Sequence, residues 1–297
     1  MKGVGTVDTE KCAALICALE LGSLSAAAEH LGYTVSGMSR LVSSMEDELG
    51  FRLLKRSRSG VEPTLECGRL LPAMRELARW GESCRQTASE LRGLETGCVR
   101  VGISYPEYYP VLTEAVAGFS RRHPGVEIEL VEGTSSVLEG LLERREADFC
   151  IMSRRGDRPG WTRLALDRLA VWLPAGHPLA EREAYPDAAL SDEAYIDISP
   201  GGETDNSRFL EERGISVRRR ASTTDIYGAC SLVGAGFGVA LVNELLARGV
   251  DTAGRAVLRP VDPPYIVEIG AAYQSREEQS PAARRFIDYA LPLLTET

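Results

Sequence analysis

Ser23-Leu24-Ser25-Ala26-Ala27-Ala28-Glu29-His30-Leu31-Gly32-Tyr33-Thr34-Val35-Ser36-Gly37-Met38-Ser39-Arg40 is the stretch whose reading decides this chain. Ser25 is placed to cap a short helix, Ala26 to Leu31, because a serine oxygen accepts an amide hydrogen that a helix start leaves unpaired. Gly32 ends that helix. Thr34 caps the next, in which Met38, Leu41, Val42 and Met45 recur at helical spacing up to Leu49, with Gly50 as its stop. Upstream, Glu10 to Leu21 carries Ala14, Leu15, Ala18, Leu19 and Leu21 on the same period. Short helices joined by a glycine-bearing turn form a helix-turn-helix pattern.

The last of these helices has two faces. Met38, Leu41, Val42 and Met45 turn inward, while Val35, Ser36, Ser39, Arg40 and Ser43 turn outward from its first turns. Short Ser and Thr side chains permit close approach to base edges, and Arg40 reaches a phosphate or a guanine edge. On spacing alone, a solvated face with one arginine is an equal reading. Phe51 to Pro63 shifts the balance, because Lys55, Arg56, Arg58, Gly60 and Pro63 make a short basic hairpin or wing suited to the DNA backbone or minor groove.

The run Ser23 to Leu31, followed by Ser39-Arg40, Glu46-Asp47-Glu48-Leu49-Gly50 and Leu54-Lys55-Arg56, resembles the winged helix-turn-helix of the LysR-type transcriptional regulators, matched from about Thr9 to Gly68. The chain departs from that pattern at Val35-Ser36, where the family usually has Gln-Pro, and at Gly37, where it usually has alanine. With the residue reading, the resemblance nominates Ser25, Thr34, Val35, Ser36, Ser39, Arg40, Arg56 and Arg58 as DNA contacts.

Leu65 to Gly93 reads as one long helix with Leu70, Met74, Leu77, Gly81, Cys84, Ala88 and Leu91 at alternating spacings of four and three. Such a seam predicts pairing between chains, and Pro72 is expected to kink the first turns. The alternative is one amphipathic helix lying on its own domain. In the resembling family this segment is the linker helix through which subunits dimerise, and members are often tetramers on DNA.

The 297 residues carry a net charge of −9, with 44% apolar and 6% aromatic residues, an ordinary globular composition. Only −1 of that charge falls on 1–95, so a polyanion is expected to meet the first third and be repelled by the rest. Seven scattered cysteines with no C-x-x-C pair read as small packing residues in a reducing compartment. Three histidines, two of them preceding proline, offer no base for a triad and no metal cluster. No cofactor is expected. The longest apolar run is interrupted by Glu20, Glu29 and His30, and its flank mixes Lys2 and Lys11 with Asp8 and Glu10, which predicts a cytoplasmic protein with no membrane partner.

From Cys98 the pattern alternates. Strands are expected at 98–103, 126–132, 148–152, 169–173, 194–198, 217–221, 239–242 and 266–273. Helices are expected at 109–122, 135–145, 207–213, 226–235 and 281–294. That order predicts a parallel sheet wrapped by helices in an α/β fold with two lobes crossed twice by the chain. Val99 to Ser104, Phe119 with Pro124 to Gly133, Ala147-Asp148-Phe149, Gly176-His177-Pro178-Leu179 and Gly236 to Leu241 are similar, in order, to the family's effector domain. The resemblance implies a periplasmic-binding-protein-like (type 2) fold.

The expected division is therefore 1–64 for the winged helix-turn-helix, 65–93 for the linker helix and 98–297 for the effector domain. Lobe I covers about 98–168 with 267–297, and lobe II about 169–266. Ligands in open α/β sheets bind where strands end and helices begin. Ser104-Tyr105, Thr134-Ser135-Ser136, Ser199 to Thr204 and Thr223-Thr224 lie at such places, and their hydroxyls favour a small organic anion such as a carboxylate. The candidate effector contacts are Ser104, Tyr105, Ser135, Ser136, Ser199, Gly202, Thr204 and Thr224, with Tyr105, Tyr108 and Tyr109 as an aromatic wall. Helix capping without a ligand is the competing role for each Ser and Thr. Arg154-Arg155 and Arg218-Arg219-Arg220 read as solvated surface.

The leading expectation is a transcriptional regulator that binds double-stranded operator DNA and answers to a small effector. The alternative is a solute-binding protein without DNA binding. An enzyme is a third reading, with Cys150 or Cys230 as its only candidate nucleophile.

Overall fold

The computed structural model describes residues 7–57, 60–91 and 96–295 and divides into two compact units, 1–96 and 97–297. In the first unit, Asp8 caps α1 (Thr9–Glu20) by accepting the Lys11 amide at 2.8 Å. α2 (Leu24–His30) begins two residues earlier than expected. Its cap is Ser23, which accepts from the Ala26 amide, so Ser25 lies exposed inside the first turn. Ser23 and Ser25 are equivalent in composition, and only the extended backbone of Ser23 decides between them. Thr34 caps α3 (Val35–Leu49), and Gly50 ends it in the left-handed conformation. β1 (Leu54–Ser57) and β2 (Gly60–Pro63) form the antiparallel wing; Arg58 lies outside the described residues.

α4 (Leu65–Leu91) runs for 27 residues, about 40 Å at 1.5 Å per residue. Its expected seam is split. Cys67, Leu70, Leu71, Met74 and Ala78 pack into the core of their own unit with Leu15, Val42 and Met45. A Cβ built on Gly81 would lie 2.6 Å from Thr9 Cγ2, so this glycine marks a close helix crossing rather than a chain-pairing position. Leu77, Trp80, Cys84, Ala88 and Leu91 remain exposed. An ideal helix drifts off a seven-residue repeat, which lets one helix serve its own core early and another face later.

The second unit opens with β3 (Gly97–Ile103), whose Val99, Val101 and Ile103 are buried, followed by α5 (Tyr109–Arg122), β4 (Val126–Glu132), α6 (Ser135–Glu143) and β5 (Phe149–Ser153). Next come β6 (Gly160–Pro174), β7 (Tyr185–Pro186), β8 (Ala194–Ile198), α7 (Asp205–Arg213), β9 (Arg218–Thr223), α8 (Ile226–Gly234), β10 (Ala240–Asn243), α9 (Glu244–Arg248), β11 (Ala256–Asp262), β12 (Ile266–Tyr273) and α10 (Pro281–Thr295).

β3 pairs in parallel with β4 and β5, and β8 with β9, but the connected eight-stranded sheet is mixed rather than parallel throughout. β12 is antiparallel to β5 and β6, and β6 is antiparallel to β10 and β11. The reason is topological. The chain leaves lobe I along β6 and returns along β12, so the two must run in opposite directions. β6 is 15 residues long, and the change of lobe falls inside it rather than at a loop before Leu169. Its Leu164 packs on the lobe I core of Val99, Val101, Phe119, Phe149 and Phe286, whereas Leu169, Val171 and Leu173 enter the lobe II core with Tyr185, Tyr195 and Phe209. Among the described residues no helix is long and apolar enough to cross a membrane.

Candidate functional site

In the first unit, α3 presents Val35, Ser36 and Arg40 to solvent while Met38, Val42 and Met45 are fully buried on its other side. The Thr34 hydroxyl accepts the Gly37 amide at 3.0 Å and sits 3.2 Å from the Ser36 hydroxyl. Ser39 is half-buried, and its hydroxyl accepts from Arg56 Nη1 of the wing at 3.1 Å. That bond joins the wing to the helix. Arg40 has no hydrogen bond or ion pair among the described residues, and its guanidinium is available.

Glu46 builds this surface from beneath. Its buried carboxylate accepts the amides of Leu53 at 2.8 Å and Leu54 at 3.2 Å, and pairs with Arg52 at 2.7 Å. Burial pushes the carboxyl up, but the Leu53 amide, the Arg52 guanidinium and the Leu54 amide together hold it below the usual glutamate range. Arg52 is therefore engaged structurally. Of the basic residues near α3, Arg40, Arg52, Lys55 and Arg56 are exposed, and Arg52 is held by its ion pair.

In the second unit, the residues nominated for an effector divide. Ser104 Oγ lies 3.1 Å from Ser135 Oγ, and the latter accepts the Ser153 amide at 3.0 Å. Ser136 Oγ accepts from Arg155 Nε at 3.0 Å. Arg155 was expected on the surface, but its side chain is only 5% exposed and its Nη1 donates to Asp205 Oδ1 at 2.6 Å. β5 ends at Ser153 in the heart of the sheet, which carries the next turn inward. Asp205 also accepts from Ser153 Oγ at 2.9 Å, Tyr105 Oη at 3.1 Å and Asn243 Nδ2 at 3.3 Å. Lobe I and lobe II thus meet through a buried ion pair held in a hydrogen-bonded cage.

Tyr105 is not an open aromatic wall. It is 1% exposed, its ring belongs to the lobe II core, and burial pushes its phenol well above the usual range. Tyr109 is bonded instead to Glu132. Thr134 and Thr204 spend their hydroxyls capping α6 and α7. Ser199 adopts a left-handed backbone with φ 63°, and its amide binds the Thr223 carbonyl at 2.8 Å. Gly202 and Thr224 are exposed, and Asp225, not Thr224, caps α8. Among the described residues no hydrogen bond joins Ser199, Gly202 or Thr224 to the Arg155–Asp205 cage.

A depression of about 370 Å³ opens onto this ion pair, lined by Arg154, Asp157, Arg208, Tyr265 and Glu268 beside Arg155 and Asp205. Sequence reasoning missed Ser153, Arg155, Asp205 and Asn243. Their signal lay in position, since each stands at or just beyond the end of a strand or at the first turn of a helix. Behind the cage, Asp167 and Glu107 each carry a buried oxygen with no hydrogen-bond partner among the described residues. Burial pushes both carboxyls up, and Asp167 adds to the shift of Glu107.

A family model described as "Bacterial regulatory helix-turn-helix protein, lysR family" matches residues 10–67, and one described as "LysR substrate binding domain" matches 92–294. The chain is 31% identical over 262 residues to the HTH-type transcriptional regulator IlvR of Caulobacter vibrioides, covering 86% of this chain and 88% of that protein. It is 27% identical over 275 residues to the HTH-type transcriptional regulator YvbU of Bacillus subtilis, covering 92% of this chain and 94% of that one. Among solved structures it shares its fold with a full-length OxyR variant from Pseudomonas aeruginosa, at a TM-score of 0.72 and 18% identity over 98% of this chain and 95% of the other.

Proposed function

The chain belongs to the LysR family of DNA-binding transcriptional regulators, and on that premise we propose that it reads operator DNA with α3, assembles through α4 and answers to a small organic molecule that carries a carboxylate and is held between its lobes. The observation that carries the DNA contact is the exposure of Val35, Ser36 and an Arg40 without a partner among the described residues, on one side of a helix whose opposite side is core. The first turns of such a helix enter the major groove, with Ser25 of α2 and Arg56 of the wing on flanking phosphates. The exposed α4 stripe of Leu77, Trp80, Cys84, Ala88 and Leu91 supports a homodimer, and a pair of recognition helices fits a two-fold operator. Further pairing into a tetramer would add avidity.

Ser104, Ser135, Ser136 and Arg155 offer donors for a carboxylate from lobe I, and Thr204 and Asp205 stand across from them in lobe II. Effector binding biases lobe geometry by its differential affinity, typically about 1–3 kcal/mol. The alternative of a solute-binding protein without DNA affinity gives way to the helix-turn-helix match over 10–67. We also read the chain as a regulator without turnover of its own. Burial pushes the Cys150 thiol up to about 12 and raises that of Cys230, the opposite of nucleophile activation.

The test is a mobility shift on the intergenic fragment beside its own gene. Arg40→Ala weakens binding at least about tenfold, since a bidentate base contact carries about 1–3 kcal/mol in each recognition helix. Unchanged affinity would overturn the reading.

A further inference from the structure

The Arg155–Asp205 pair narrows the class of effector. Both side chains are nearly out of solvent, at 5% and 10% exposure, and they come from opposite lobes. A bare carboxylate entering the cleft either takes Arg155 away from Asp205 or sets a second negative charge on one buried guanidinium. The former leaves a buried carboxylate with Ser153, Tyr105 and Asn243 as neutral donors and no other ion pair among the described residues. A simple amine entering instead strands Arg155. Breaking a buried pair by removing one partner is strongly unfavourable, because the remaining charge stays uncompensated. A molecule bearing both charges avoids either penalty. Its carboxylate takes Arg155 with Ser136 alongside, its ammonium takes Asp205, and the exchange is electroneutral.

Resting on the assignment of this cleft as the effector site, we propose that the effector is a zwitterion with an amino-acid head group, inserted between Arg155 of lobe I and Asp205 of lobe II. The depression of about 370 Å³ beside the pair receives its side chain. At the mouth Arg154 pairs with Asp157 and Glu268, and Arg208 with Glu203 at 3.9 Å, so each cation there has an acidic neighbour. Insertion also replaces a direct 2.6 Å contact by a head group several bonds long, which shifts the lobes and couples occupancy to their geometry.

The full chain is titrated calorimetrically with the twenty L-amino acids, each beside its deaminated acid and its decarboxylated amine. At least one amino acid binds roughly a hundredfold tighter than both of its single-charge analogues, the size of preference that a stranded buried charge imposes. Asp205→Asn removes the counter-charge and shifts the preference to the deaminated acid. A wild-type chain that binds a deaminated acid as tightly as its parent amino acid overturns the proposal, and this comparison stands if Asp205→Asn fails to fold. If the wild type takes no zwitterion while Asp205→Asn takes simple acids, the proposal falls and the cleft assignment survives. If neither chain binds any of these probes, both fall.

Discussion

Removing the Glu46 carboxylate should loosen the wing and weaken DNA binding together. In Glu46→Ala the amides of Leu53 and Leu54, residues 0% and 5% exposed, lose their acceptor in a place water does not reach. A buried donor left without a partner costs about 1–3 kcal/mol, so the two amides account for about 2–6 kcal/mol before the Arg52 contact is considered. Glu46→Gln keeps an oxygen for the Leu53 amide and forfeits the charge, which leaves a loss of about 1–2 kcal/mol, since charge-assisted bonds are roughly twice as strong as neutral ones. For a unit of this size each kcal/mol lowers the melting point by about 4–8 °C. Calorimetry of the full chain should show the transition of the first unit falling in the order wild type, Gln, Ala. Operator affinity measured near that transition should fall in the same order. The acid side has a defined sign. A carboxyl held below its unfolded value stabilises above that value, and this contribution fades as pH drops through the folded one. The gap between wild type and Gln should therefore close below about pH 4. An Ala variant that melts with the wild type would refute the account of how the wing is held.

Three further outcomes follow from the same contacts. Gly81→Val drives a side chain into Thr9 at the α1–α4 crossing and lowers stability by about 1–3 kcal/mol despite the gain in helix propensity over glycine, read by urea unfolding. Trp80→Ala with Leu77→Asp removes apolar anchors from the exposed α4 stripe and shifts sedimentation toward the monomer, while the melting point of the monomer stays put. Glu107→Gln acts in the opposite pH sense to Glu46. Its carboxyl is raised, so the folded state favours the protonated form and the charge opposes folding once pH passes the unfolded value. The variant should gain stability over the wild type at pH 7–8, and the gain should vanish near pH 4.

What the sequence made legible was whatever repeats on a short period. Tyr109–Arg122, Val126–Glu132 and Ile266–Tyr273 end where alternation or helical spacing ends, and Thr34 and Gly50 bracket α3 as capping chemistry requires. β11 was hidden because Arg259-Pro260 interrupts its apolar run, and proline argues against a strand until its neighbour is known. The first half of β6 was hidden for a related reason. Thr162, Arg163 and Asp167 give it a polar texture, because it bridges two cores instead of lying within one. The cage around Asp205 was least legible of all. Its members span Tyr105 to Asn243, and an Arg-Arg dipeptide looks solvated until a partner 50 residues away is folded against it.

β6 and β12 remain bonded to each other from Ile266 opposite Arg168 to Tyr273 opposite Gly160, with one irregularity between Ile269 and Gly270. Two hinges that zip together behave as a single torsion bar. Such a ribbon yields to twist far more readily than to bending in its own plane, and the irregular rung is where twist accumulates. Gly270 cannot be rebuilt with a larger residue, since a Cβ there would lie 2.5 Å from the Trp161 ring. Rotation about the ribbon axis is therefore the relative movement of the lobes that this connection resists least.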